Sequence, residues 1–281
     1  MKDSIYLIDG ESELVELSAT SYESEDLLQS LIAKHPHVLA GEQINPESPR
    51  RWVLVTREMG VPDEVEGGNR WSLDHLFLDQ DAIPTLVEVK RSTDTRIRRE
   101  VVGQMLDYAA NAVVHWPIET IRAKFESNCD ETGARSDDQI ADLVQADIHD
   151  EAAIGKFWQQ AKTNLQAGRV RLVFVADVIP GELRRIIEFL NGQMDPAEVI
   201  GVELKQYQDT AGTLRTLVPR VIGVTANAQR KKSTGTSGSQ KIEITREQFF
   251  DTARMDATDS GFETIDAIVQ WADKHQLPIN W

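Results

Sequence analysis

Hydrophobic and polar residues alternate through WSLDHLFLD, residues 71–79. Trp71, Leu73, His75 and Phe77 fall on one face of a strand; Ser72, Asp74, Leu76 and Leu78 fall on the other. QDAIP then turns the chain, and TLVEVK returns as a second strand that carries Glu88 and Lys90 near its end. Those two residues are two apart, so they share a face.

The same reading extends along the chain. SIYLID and ELVEL form a short strand pair around Gly10-Glu11. Leu27, Leu28, Leu31 and Ile32 recur at helical spacing, with Ser24 placed to cap the helix and Pro36 to end it. RRWVLVTRE is a strand, and MGVPDEVEGGNR, rich in glycine and proline, is a loop. A helix runs from about Arg96 to about His115, with Ile97, Val101, Met105 and Tyr108 on one face. Residues 117–168 are acidic and helical with a weak pattern. RVRLVFVAD is a β-branched core strand, and its lack of a glycine pattern argues against a phosphate-binding turn. A helix opening at Pro180 follows, and then AEVIGVELKQYQ and TLRTLVPRVIGVT as an antiparallel edge pair.

This order predicts an α/β domain over 1–225, with a mixed central sheet flanked by helices and an acidic helical insertion at about 117–168. ANAQRKKSTGTSGSQ, residues 226–240, has the composition of a flexible linker. Residues 241–281 carry two short helical patterns and form a small helical C-terminal module, too short to bury much core alone. No run of about 18 apolar residues is present, and the N-terminus lacks a secretory h-region, so the expected setting is the cytoplasm. The single cysteine, Cys129, sits among acids and has no internal disulfide partner.

Net charge is −16, which taken alone argues against a nucleic-acid partner. The distribution changes that picture. KRSTDTRIRR, residues 90–99, holds five cations (Lys90, Arg91, Arg96, Arg98, Arg99) against one anion, Asp94. It directly follows the charged strand end. If Asp74 faces Glu88 across the hairpin, the centre falls at Asp81 and the loop is about three residues, a common length. Two apposed carboxylates repel, and a divalent cation removes the repulsion. Mg²⁺ takes one or two carboxylates and keeps waters or substrate phosphate in its other positions. Lys90 on the same face is placed to orient a water or to stabilise charge developing on a phosphoryl group.

Asp74 followed fourteen residues later by Glu88-Val89-Lys90 resembles the core of the PD-(D/E)XK nuclease superfamily. GQMLDYA, with Gln104 and Tyr108 one helical turn apart, resembles the QxxxY helix of its RecB-like branch. Glu25 stands where such nucleases often carry an acid on the first core helix. The likeness spans roughly residues 20–115 and is nearest to the mismatch and branched-DNA endonucleases of archaea and actinobacteria; Leu73 replaces the usual proline. The resemblance implies a restriction-endonuclease-like fold and a Mg²⁺-dependent DNA endonuclease, with Mn²⁺ as a substitute ion, acting in repair or in defence against foreign DNA. It implies Asp74, Glu88, the Val89 carbonyl and Glu25 as metal ligands. Asp74, Glu88, Lys90 and Gln104 would form the catalytic set, and Arg91, Arg96, Arg98, Arg99 and Tyr108 would meet nucleic acid. The alternative is a nuclease-fold protein that binds nucleic acid or a protein without cutting. A homodimer, or a protein partner met through the C-terminal module, fits either reading. His75, on the strand face opposite Asp74, reads as packing, as does Trp158. His35, His37 and His115 lack partners at metal-binding spacing.

Overall fold

The computed structural model describes residues 3–8, 13–62, 69–94, 100–147 and 150–224, and isolated positions between 246 and 270. The chain divides into two compact units, Met1–Lys232 and Ser233–Trp281. The division falls within the 226–240 stretch, which itself lies outside the described residues, as does most of the second unit.

The first unit is α/β. A mixed eight-stranded sheet comprises β1 (Ser4–Ile8), β2 (Leu14–Thr20), β3 (Trp52–Pro62), β4 (Asn69–Asp79), β5 (Pro84–Val89), β6 (Arg171–Ala176), β7 (Glu198–Gln208) and β8 (Arg215–Ile222). The strands run in the order β1-β2-β7-β6-β5-β4-β3, and β8 also pairs with β7. β5, β6 and β7 are mutually parallel; the other pairings are antiparallel. Every residue of β5 and β6 is buried, because both strands lie mid-sheet and are covered on both faces.

Helices cover both faces. On one, α1 (Glu25–Lys34), a short 3₁₀ turn at Pro36–Leu39 and α2 (Gly41–Ile44) place Leu28, Ile32 and Leu39 against Phe77, Val87 and Val175. On the other lie α3 (Glu100–His115), α4 (Ile118–Thr132), α5 (Ser136–Val144), α6 (Glu151–Gln166) and α7 (Gly181–Gln193). Their Met105, Phe125, Trp158 and Ile187 join Leu76, Leu86 and Phe174 in one cluster. The 117–168 stretch is thus α4, α5 and α6, built into the core through Ile121, Phe125, Ile140 and Trp158.

Local chemistry accounts for α1. The Ser24 side chain accepts from the Leu27 amide at 3.0 Å, and Glu25 and Asp26 complement the helix N-terminus. The helix stops at Lys34, before Pro36. The β4–β5 turn is the expected three residues, Gln80 to Ala82, closed by the Asp79 amide donating to Ile83 O at 3.3 Å. Within it the Asp79 carboxylate accepts from the Asp81 and Ile83 amides while Ala82 takes a left-handed φ of 56°.

Two expectations are corrected. The 59–70 stretch is strand at both ends: β3 continues to Pro62 and β4 begins at Asn69, the two forming a long ribbon, and 63–68 lie outside the described residues. And β7 is no edge strand. β6 pairs with its residues 198–203, β2 with 206–208, and β8 with 201–208 along the opposite side. Of the two, only β8 is an edge strand, where Pro219 needs no donor. Gln43 covers part of that edge, donating to Pro219 O at 3.1 Å and accepting from Val221 N at 3.0 Å.

Gly41 opens α2 with no room for a side chain: a Cβ there would overlap the Arg50 carbonyl. Because the obstacle is backbone, Gly41→Ala is expected to destabilise the fold at the upper end of the about 1–3 kcal/mol typical of overpacking, read as a lowered urea midpoint.

A candidate active site at the end of the central strand

The ladder between β4 and β5 pairs His75 with Val87 and Leu78 with Pro84. Continued by one residue, this register sets Asp74 opposite Glu88 on the face that carries Leu76 and Leu86. At the end of β5 the side chains converge. The Lys90 ammonium lies 3.0 Å from Glu88 Oε1, 3.3 Å from Glu25 Oε1 and 3.9 Å from Asp74 Oδ2. It also donates to Val89 O at 2.9 Å, while the Val89 amide donates to Asp74 Oδ2 at 2.7 Å. Glu25 arrives from the first turn of α1, which packs on the other face of the sheet and reaches around its end. Side-chain exposure grades from 1% at Glu88 through 9% at Lys90 and 15% at Asp74 to 30% at Glu25, so the cluster opens on the Glu25 side.

The electrostatics follow from burial. Desolvation pushes the Asp74 carboxyl up to about 6, with the Lys90 charge and the Val89 amide pulling the other way. Desolvation and then the Asp74 charge push Glu88 up to about 7. Burial opposes the Lys90 charge, but Glu88 and Asp74 outweigh it and hold the ammonium well above the ordinary lysine range. Glu88 Oε2 is buried with no hydrogen-bond partner.

That orphaned oxygen tests the fit of a cation. Two carboxylates, a main-chain carbonyl and Glu25 supply only oxygen donors, as Mg²⁺ requires, and one of those oxygens lacks any partner. Among the described residues, no group of three or more His, Cys, Asp or Glu side chains is arranged to hold a metal ion by itself. A cation held here would therefore complete its shell with water or substrate oxygens, as Mg²⁺ commonly does.

Gln104 and Tyr108 stand behind the cluster. Gln104 Nε2 donates to Tyr108 Oη at 2.6 Å, and Tyr108 Oη donates to Ser72 O at 3.1 Å, two residues before Asp74. Burial, then the Glu88 charge, pushes the Tyr108 hydroxyl up to about 12. Tyr108 is fully buried, so the expectation that it meets nucleic acid is corrected. It shares the apolar face of α3 with Val101 and Met105, which packs on the sheet, and its hydroxyl positions β4. Arg91 is half-buried and directs its guanidinium to Tyr22 O and Glu23 O, both at 3.2 Å. Arg96, Arg98 and Arg99 lie outside the described residues. His75 is buried and bonded to Gln29 O at 2.9 Å, and burial lowers it to about 4.

Two residues near the site have no counterpart in the sequence reading. Glu58 lies between Arg57 and Met59, which pair with His75 and Leu73, so it sits across from Asp74 and its charge helps raise that carboxyl. Its φ of 52° is left-handed, and a register irregularity at Val55 precedes it; neither is legible in TREMG. Asp177, just past β6, accepts from Ser92 N at 2.6 Å and Ser92 Oγ at 2.9 Å. It anchors the segment leaving Lys90. The only sequence signal was an acid directly after a buried strand.

The raised carboxyls set a pH dependence. A carboxyl whose folded pKa exceeds its unfolded value binds more proton in the native state, so stability falls as pH rises through the folded value. In EDTA the unfolding free energy is expected to rise by about 1 kcal/mol as pH drops from about 8 to 6.5, through the Glu88 value. Below about 6.5 the buried neutral His75 opposes the trend, because the unfolded chain then binds the extra proton. Urea unfolding of Glu88→Gln checks this, since that variant should be flat over the upper window.

No protein-family model, no curated protein and no solved structure matches the chain. The functional reading therefore rests on the geometry of this site.

Proposed function

We propose that the protein is a Mg²⁺-dependent DNA endonuclease with a restriction-endonuclease-like core, acting in DNA repair or in defence against foreign DNA. The observation that carries this reading is the convergence of Asp74, Glu88 and Lys90 on one strand end, with a buried Glu88 oxygen left unpartnered. Asp74, Glu88 and the Val89 carbonyl would hold the ion, with Glu25 on the open side. Mg²⁺ held there would supply polarisation of a phosphoryl oxygen and a water of lowered pKa for hydrolysis of the phosphodiester. Lys90, cationic and already among the carboxylates, orients that water and offsets the charge that builds on the phosphoryl oxygens. Tyr108 and Gln104 fix the backbone beside Asp74, and Asp177 fixes the segment leading to the basic stretch.

One observation favours a second reading. Lys90 already neutralises part of the carboxylate cluster, so the site is a self-contained ion-pair network. A protein with this core that binds nucleic acid without cutting it would look the same.

The test is a panel of labelled single-stranded, duplex, branched and mismatched DNAs with Mg²⁺, Mn²⁺ or EDTA. Cleavage with either ion, lost in EDTA and in Glu88→Ala, is the expected result. Binding without cleavage of any substrate would select the second reading.

A further inference from the structure

We propose that β1 is a self-association edge: two copies of the chain pair their β1 strands antiparallel about a twofold axis through Leu7, joining two sheets into one. The inference does not depend on the nuclease reading. β2 meets β7 only through Ser18, Ala19 and Thr20. The rest of the β1–β2 hairpin continues past that junction, and among the described residues nothing pairs with the outer edge of β1. A two-stranded hairpin on its own is marginally stable. Past Ser4, β1 itself is apolar on both faces, with exposures of 63% at Tyr6, 42% at Leu7 and 67% at Ile8; on β2, Leu14 is 66% exposed and the exposed Glu16 stands opposite Tyr6. The edge carries none of the usual protections against pairing, neither lysine nor proline.

Charge points to a second copy as the occupant. Ser4–Ile8 contains no charged residue, in a chain of net charge −16. An uncharged, unblocked strand is the surface on which two such molecules can meet without apposing like charges. An antiparallel edge is self-complementary under a twofold, as a dimer interface must be. Centring the pair on Leu7 sets Tyr6 opposite the partner's Ile8 and Ile8 opposite the partner's Tyr6, an aromatic–β-branched pairing that favours antiparallel strands. It covers the three exposed side chains of β1 at once. Only residues 6–8 of the described strand face their own copies, which buries less than the roughly 1,000 Å² of a stable interface, so the dimer is a weak one, in the micromolar range or above.

Sedimentation equilibrium of the full chain over a range of concentrations tests this. Wild type should shift from the 31.6 kDa monomer toward twice that mass as concentration rises. Added salt should strengthen association by screening the repulsion between two acidic molecules. Leu7→Arg and Leu7→Glu should each stay monomeric with unchanged circular dichroism. Because the proposed axis brings Leu7 to its own copy, an equimolar mixture of the two variants should associate again. A wild type that stays monomeric at every concentration, or variants that associate as well as wild type does, would overturn the proposal. A mixture that fails to associate would overturn the twofold through Leu7. Ile8→Arg, on the other face of the strand, repeats the test should Leu7 variants misfold.

Discussion

Lys90→Ala is expected to lose Mg²⁺-dependent DNA cleavage by about 100-fold or more, the scale for removing one charge-stabilising donor, while binding the ion as well as wild type or slightly better. The ammonium lies within 4 Å of three carboxylates, where it competes with any second cation, so its removal cannot weaken metal affinity electrostatically. Its absence matters when charge builds on the phosphoryl oxygens and when the attacking water must be oriented. In EDTA the same variant should be destabilised, because the buried carboxylates lose their partner, and Mg²⁺ should restore much of that loss. Glu88→Ala should instead lose both metal binding and cleavage. Calorimetric Mg²⁺ titration with single-turnover cleavage on the two variants separates the roles. If Lys90→Ala weakens metal binding as much as Glu88→Ala does, Lys90 is a structural member of the cluster and the assignment of roles fails.

Arg171→Met is expected to cost about 3–5 kcal/mol of stability, the range for breaking a buried ion pair from one side. Arg171 opens β6 and is 1% exposed; it donates to Asp79 Oδ2 at 2.8 Å and to Glu198 Oε2 at 2.7 Å. The two acids differ in what they lose. Glu198 is 36% exposed and can rehydrate, whereas Asp79 is fully buried. Asp79 would keep the Asp81 and Ile83 amides and only the longer ion pair with Arg50 at 3.8 Å, losing the close, fully buried cation. Urea unfolding should show a lower midpoint at unchanged slope. Adding Asp79→Asn should recover part of the loss, since the poorly compensated charge is then gone. Full additivity of the two changes would mean that the pair is not coupled. Arg171 pairs at Thr85, at the start of β5, while the carboxylate cluster lies at its end. The folded fraction of Arg171→Met should therefore keep the Mg²⁺ binding proposed for that cluster.

Much of the site was legible because it rests on local geometry. Alternation put Asp74 with Leu76 and Leu78, a short turn set the partner register, and a two-residue step put Lys90 on the Glu88 face. Ser24, the acidic first turn and Pro36 bounded α1 through contacts only a few residues long. Tyr108 shows where such reasoning misled. Its helical spacing with Val101 and Met105 already put it on the buried face of α3, yet motif likeness suggested contact with nucleic acid.

What the sequence determined by itself is what short-range sterics and hydrogen bonds decide: the order of elements, the hairpin carrying Asp74 and Glu88, the capped helix carrying Glu25, and the α/β class. What only the tertiary structure decided depends on groups far apart along the chain. Glu25 meets Lys90 across 65 positions, and Asp177 meets Ser92 across 85. Arg171 meets Asp79 across 92, and the left-handed Glu58 reaches Asp74 only after the ribbon shifts its register near Val55. The β7–β8 pair was legible as antiparallel, but which of its two strands lies at an edge was not. That depended on β2, from the other end of the chain, taking the last three residues on the open side of β7. A carboxylate's neighbours, and hence its charge, are settled when the layers close and water leaves, and no window of sequence contains that step.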